Sequence, residues 1–335
     1  MGKAAYYVKR SIVSLLLILG TATALFFFFR ALPGDYATLL AQSGASAEQV
    51  EALREQWGLN DPLWQQYLRF VTNLFTGNLG TSRVSGLPVW EYVRPALLNS
   101  FILVAPAVIT AYLLGSLYGT LMGSRQDSLL DKYGIIPPTM IGTTPDFFIG
   151  ILLIFVFAGY LGLFPTSGML SLDTYNALGQ DATNLDIFTT LDFWWHYTLP
   201  FLAIVLKYLY YPTLVMRGSI VEVKGQDFAY YHRIKGLSQS TQLRHLMRHA
   251  SLPVITLLPT TMARAISGLV LIEVVFNWPG IGKLLVDSVF ARDTPVLQFV
   301  FLLVAVWVIL GNFIVDILYS VIDPRITIEG DNEAE

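Results

Sequence analysis

Residues 101–123, FILVAPAVITAYLLGSLYGTLMG, decide the class of this chain. They run for 23 residues without a charge, close to the ~20 residues that cross a bilayer as a helix. Residues 11–29 and 296–315 are uncharged runs of 19 and 20 residues. The remaining composition agrees. Of 335 residues 54% are apolar and 13% charged, with a mean hydropathy of +0.56, whereas a soluble domain carries about a quarter charged residues. The first run is long for a signal-peptide core, and residues 31–34, ALPG, are a poor small-x-small cleavage site, so it reads as a retained helix.

Three further apolar stretches lie at 133–163, 197–217 and 254–276. Each is interrupted by charge, at Asp146, at Lys207, and at Arg264 with Glu273. A charge in a spanning helix faces protein or water, because facing lipid costs several kcal/mol. The expected fold is therefore an all-α integral membrane protein with six transmembrane helices. With the N-terminus inside, 12 of the 21 Lys and Arg residues fall in inside segments and seven outside, so both termini are expected to be cytoplasmic.

That orientation makes the segment between the first two helices a large extracytoplasmic loop. Within it Ser46 is positioned to cap a short helix over 47–57, with Glu48 and Glu51 in its first turn. Trp64, Tyr67 and Phe70 repeat near helical spacing in an amphipathic stretch, read as aromatic anchors at the membrane interface or else as a docking surface for an external partner. In the second helix Gly115, Gly119 and Gly123 lie on one face, where backbones can approach closely.

Soluble chemistry finds little footing. With no cysteine there are no disulfides, thiolate nucleophiles or Cys-based metal sites. The net charge of −3, without a basic run outside the membrane pattern, argues against nucleic acid as a partner. The sequence GIGKL at 280–284 lacks both the leading Gly and the Ser/Thr of a phosphate loop. His245 and His249 have zincin spacing without the intervening Glu. No metal site, nucleophile elbow or catalytic residue is assigned, and the chain is not expected to be an enzyme.

The segment 217–253 is too polar for the bilayer and too rich in helix formers for a loose connector. Gly236-Leu237-Ser238 breaks it where Gly can end one helix and Ser can start the next, giving two short helices with a bend. Its sequence from Gly225 to Ser238, GQDFAYYHRIKGLS, followed by Arg244-His245 and Leu252-Pro253, resembles the coupling loop of binding-protein-dependent ABC importer permeases. It is most similar to the B-type subunit of the dipeptide/oligopeptide/nickel group. Leu32-Pro33-Gly34-Asp35, residues 276–282 (FNWPGIG) and Ile322-Asp323-Pro324-Arg325 resemble the same group, in order along nearly the whole chain. Where the family carries Glu-Ala-Ala, this chain has Tyr230-Tyr231-His232, while Gly236 is kept.

The resemblance implies a permease subunit that forms half of a translocation path, and a di- or oligopeptide is the expected substrate. It implies a second homologous permease, two ATPase subunits that bind the ATP, an extracytoplasmic substrate-binding protein, and no cofactor in this chain. The implied division is 1–98, an N-terminal helix (about 11–32) with the extracytoplasmic segment; 99–325, a permease domain with helices about 99–123, 133–163, 197–217, 254–276 and 296–320 and a coupling loop 218–253; and an acidic cytoplasmic tail, 326–335. Coupling to the ATPase falls to Asp227, Ala229, Arg233, Lys235, Gly236, Leu237, Arg244 and His245. Trp278, Pro279, Gly280, Lys283 and Arg292 are expected on the face that receives the binding protein. By helical rise Asp146, Lys207 and Arg264 can share one depth near the midplane, where Asp146 is expected to neutralise one cation and leave the other facing the path, the alternative being a buried pair that only fixes helix register. The group also transports nickel and oligosaccharides, and an ion-coupled secondary transporter is the reading from a different class.

Overall fold

The computed structural model describes residues 3–32, 36–42, 44–179 and 184–322. In chain order the helices are α1 (Lys3–Ala31), α2 (Tyr36–Gln42), α3 (Ala47–Gln56), α4 (Leu63–Thr76), α5 (Val89–Ser124), α6 (Leu129–Tyr133), α7 (Ile136–Thr143) and α8 (Asp146–Leu153), which continues as one π-helical segment, Ile154–Tyr160. There follow α9 (Leu172–Leu178), α10 (Asn184–Phe188), α11 (Leu191–Tyr208), α12 (Tyr210–Lys224), α13 (Asp227–Ile234), α14 (Gln239–Val275), α15 (Ile281–Phe290) and α16 (Thr294–Ile322). The described residues fall into two compact units, those before Ser100 together with those from Gly280 on, and those within Ser100–Pro279. The last long helix thus groups with the N-terminal segment, where it packs along α1, and not with the other helices of the expected 99–325 domain.

In the first unit α3 starts at Ser46, whose hydroxyl accepts the Gln49 N–H while Gln49 returns a bond to the Ser46 N–H, a reciprocal cap. The aromatics of α4 divide between two roles. Tyr67 and Phe70 pack on buried Phe26 of α1 with ring centroids 5.4 and 5.3 Å away, and the Tyr67 hydroxyl meets Thr23 at 2.9 Å, whereas Trp64 is exposed. Asp293, before α16, is buried and accepts from the Ser82 hydroxyl (2.5 Å) and the N–H groups of Arg83 and Val84 (3.2 and 3.3 Å). One carboxylate therefore ties the turn-rich end of the first loop to the start of the last helix.

In the second unit the three glycines of α5 meet α12. A Cβ at Gly115 would stand 2.7 Å from the Leu209 carbonyl, one at Gly119 would collide with the Thr213 carbonyl, and one at Gly123 would reach 2.9 Å from the Arg217 carbonyl. The glycine face is thus used within the chain. The stretch expected as one helix over 133–163 is broken instead. Pro145 has no N–H to continue the ladder and holds Thr144 extended (ψ 145°), so the segments Leu129–Thr143 and Asp146–Tyr160 meet at a bend of 104°.

Other boundaries move outward. The helix expected from 99 starts at Val89, that expected from 254 starts at Gln239, and that expected to end at 217 continues as α12 to Lys224 after a break at Leu209. Polar first turns that a hydropathy reading assigns to loops are helical because their backbone bonds close within the helix regardless of side-chain polarity. Among the described residues four segments are long and apolar enough to cross a membrane: Tyr7–Ala31, Val89–Ser124, Leu191–Lys224 and Thr294–Phe313. The bent pair makes a fifth if counted as one span. The sixth expected span lies in α14, which carries Arg264, Glu273, Pro253 and Pro259 and is not among them.

Candidate functional site

Two constellations in the second unit carry the chemistry that the sequence singled out. The first is the hairpin after α12. Lys224 anchors its entry by donating to the Ser124 carbonyl at 2.9 Å. The short helix α13 ends where Gly236 takes φ +67°, a left-handed conformation that side chains other than Gly rarely adopt, and the Leu237 N–H turns back to the His232 carbonyl (3.3 Å). Ser238 then caps α14, accepting the Thr241 N–H at 3.4 Å. The bend at Gly-Leu-Ser is as the sequence indicates. The second helix of the pair is not short, since α14 runs without interruption into the following apolar stretch.

The inner face of α13 packs on α14. Ala229 is buried, the Phe228 ring lies 4.6 Å from His249, and the His232 ring lies 4.8 Å from His245. Ala229, expected in the coupling set, therefore presents no side chain at the surface. Leu237 and His245 are half-buried, whereas Asp227, Lys235, Gly236 and Arg244 are exposed. The Arg233 side chain lies outside the described residues, as do Pro33-Gly34-Asp35 and Asp323-Pro324-Arg325 with the acidic tail. What the sequence reading missed is the outer face of α13, where Tyr230, Tyr231 and Ile234 are 60%, 60% and 63% exposed. Large apolar residues at positions i, i+1 and i+4 of a helix too polar to enter the membrane were the available signal.

The second constellation surrounds the broken helix. Lys207 of α11 pairs with Asp146 at 2.9 Å and donates to the Thr144 carbonyl at 2.5 Å. One ammonium thereby holds both sides of the Pro145 break: the carbonyl of Thr144, which caps α7, and the first-turn acid of α8. Both side chains are largely buried, at 16% and 15% exposure. Gly268 of α14 gives the carboxylate room, since a Cβ there would collide with Asp146 Oδ2 and lie 3.0 Å from the Tyr208 hydroxyl. Arg264 is not brought to this pair. Its side chain is exposed, donates to the Tyr211 hydroxyl at 3.0 Å and lies over the Tyr211 ring at 5.6 Å. A further pair went unnoticed in the sequence: Arg217 of α12 binds buried Asp131 of α6 through two bonds of 2.6 and 3.0 Å.

The residues expected to meet a binding protein separate. Trp278 is wholly buried, with its ring 6.0 Å from Phe193 and 6.0 Å from Tyr197, so it cannot present that ring to a partner. Its large apolar surface drives it inward, which its position in an outside turn did not reveal. Pro279 is exposed. In the other unit Gly280 is buried at the start of α15, Lys283 pairs with Asp287 at 2.7 Å, and Arg292 is half-buried with φ +51°.

Comparison with known proteins resolves the class. Residues 111–328 match the family model described as binding-protein-dependent transport system inner membrane component, and residues 4–91 match the N-terminal model of the same transport-system membrane component. The chain belongs to this family. The permease is 36% identical over 326 residues to the oligopeptide transport system permease protein AppB of Bacillus subtilis (strain 168), covering 96% of this chain and 99% of that one. It is 34% identical over 322 residues to the glutathione transport system permease protein GsiC of Salmonella paratyphi A, covering 96% and 98%. GsiC of Escherichia coli O6:H1 is 32% identical over the same length. The protein is thus an ABC importer permease of the dipeptide/oligopeptide group and a multi-pass inner-membrane subunit, and its family implies a substrate-binding protein and ATPase partners.

Proposed function

We propose that this permease forms half of the translocation path of a di- or oligopeptide importer and is driven by separate ATPase subunits through the α13 hairpin. The observation that carries the coupling role is the exposed face of α13. Tyr230, Tyr231 and Ile234 stand beside Asp227 and Lys235 on a helix whose opposite face is locked onto α14. A push on that face reaches α14, because Ala229 is buried and the Phe228 ring lies against His249 of α14, a helix of 37 residues that contains Pro253 and Pro259. Helices that move as rigid bodies convert such a push into alternating access.

In this reading the chain crosses the membrane six times, α14 supplying one crossing, with both termini and α13 cytoplasmic. ATP is bound by two partner subunits, a second homologous permease completes the path, and the binding protein docks outside, where Pro279, Lys283 and Arg292 are candidates for contact. The peptide substrate is supported by the names of the relatives, an oligopeptide and a glutathione permease. It is also supported by Arg264, which has no carboxylate partner among the described residues and can receive a substrate carboxylate near the midplane.

The test is reconstitution of the permease pair with its ATPases in liposomes. Peptide-loaded binding protein should stimulate ATP hydrolysis and uptake together, and Tyr230→Ala with Tyr231→Ala should abolish both while the permease pair stays intact. Full stimulation by the double variant would remove α13 from the coupling role, and stimulation by a nickel- or sugar-loaded binding protein alone would replace the substrate.

A further inference from the structure

The sequence Arg244-His245-Leu246-Met247-Arg248-His249 interleaves two i, i+4 pairs on α14. The histidines turn toward α13, where His245 and His249 meet His232 and Phe228. The arginines take the adjacent face and open onto a groove of about 440 Å³ between α5, α12 and α14. Both guanidinium groups are exposed and hold no ion pair or side-chain hydrogen bond among the described residues.

The groove is polarised along its length. Along α14 the lining passes from Arg244, Met247, Arg248 and Ser251 to Val254, Ile255 and Leu258, and Ser116, Leu113 and Ile109 of α5 line the end nearer Leu258. The two helices run antiparallel, with Tyr112 of α5 bonded to Thr261 of α14 at 2.5 Å. Met216 of α12, almost wholly buried, closes the floor. The apolar wall is itself exposed: Ile109 by 49%, Leu113 by 62% and Ile255 by 56%.

We propose that this groove is a binding site for one anionic glycerophospholipid, its phosphate between Arg244 and Arg248 and an acyl chain along Ile109, Leu113, Ile255 and Leu258. Arg248 and Leu258 are ten residues apart, about 15 Å along the helix, which is half of the ~30 Å hydrocarbon layer and so the reach of one leaflet's chain. Two cations one turn apart repel each other, and a headgroup with net negative charge relieves that repulsion where a zwitterionic one does not. A helix of a second permease is the competing occupant; it would have to bring both apolar surface and carboxylates to the same 15 Å stretch.

The site is tested by native mass spectrometry of the full transporter complex, delipidated in detergent and titrated with phosphatidylglycerol or phosphatidylcholine. The wild type should retain phosphatidylglycerol in preference. Arg244→Gln with Arg248→Gln should weaken its retention about 30-fold, as about 1 kcal/mol for each cation near a lipid surface implies, and should leave phosphatidylcholine unchanged. Arg244→Lys with Arg248→Lys should keep most of the preference, which separates lost charge from lost folding. Leu113→Trp, which fills the apolar end, should reduce both lipids. Equal retention of the two lipids by the wild type, unchanged phosphatidylglycerol binding in the Gln variant, or an oxidant-induced disulfide between Ile255→Cys and a cysteine introduced into a helix of the second permease in the intact complex would each overturn the proposal.

Discussion

Replacing Lys207 by Met removes an ammonium that holds both sides of the break in the bent helix. At 2.9 Å the attraction to Asp146 is about 6 kcal/mol at an effective dielectric constant of ~20. Most of it offsets the desolvation of two groups that are only 16% and 15% exposed. Removing the cation leaves that desolvation on Asp146 uncompensated, and breaking a buried pair costs ~3–5 kcal/mol. The Thr144 carbonyl loses its donor as well. Taking ~3 kcal/mol and about 3 °C per kcal/mol for a unit of this size, Lys207→Met should lower the melting temperature by roughly 10 °C. The assay is intrinsic-fluorescence melting of the detergent-solubilised chain, run also on Asp146→Asn and the double variant. The double variant should be less damaged than the sum of the singles by about 2 kcal/mol, since it buries no unpaired charge. A Lys207→Met melting point within 1 °C of wild type, or strict additivity in the cycle, would refute the staple.

Gly236→Val should uncouple ATP hydrolysis from uptake. A Cβ there meets nothing within 4 Å, so the whole effect is the ~1–2 kcal/mol of left-handed backbone at φ +67°, and Gly236→Asn should retain coupling in the same transport assay. Gly119→Ala should sharply reduce folded yield in size-exclusion chromatography because its Cβ strikes the rigid Thr213 carbonyl, while Gly20→Ala, with open space around it, should match wild type. Single cysteines at Lys283 and Arg292, in a chain with no native Cys, should crosslink to the binding protein in at least one nucleotide state. No product at either position in any state would exclude that face.

The hairpin shows how far local pattern reaches. Gly236 and Ser238 were legible because a left-handed stop and an N-cap are local demands on residue type, satisfied within a few residues. That α14 then continues for 37 residues was not legible, since its start is too polar for a hydropathy reading and hydrogen-bonded helix needs no apolar side chains. Trp278 was misplaced for the complementary reason: its turn lies between helices, yet the cavity formed by Phe193 and Tyr197 belongs to a segment some 80 residues earlier in the chain.

The sequence by itself determined the membrane class, through runs of uncharged residues as long as the bilayer is thick, and the family, through motifs in order along the chain. It also marked Asp146, Lys207 and Arg264 as charges in need of an explanation, because their cost in lipid depends on composition alone. Only the tertiary structure decided that Asp146 takes Lys207 and not Arg264, that the α5 glycines serve α12, and that the arginines and histidines of α14 face different neighbours. Those choices depend on which helices lie within 4 Å of one another. Pairing of that kind is settled by packing between residues distant in sequence, and periodicity along a single helix states which residues share a face but not what that face meets.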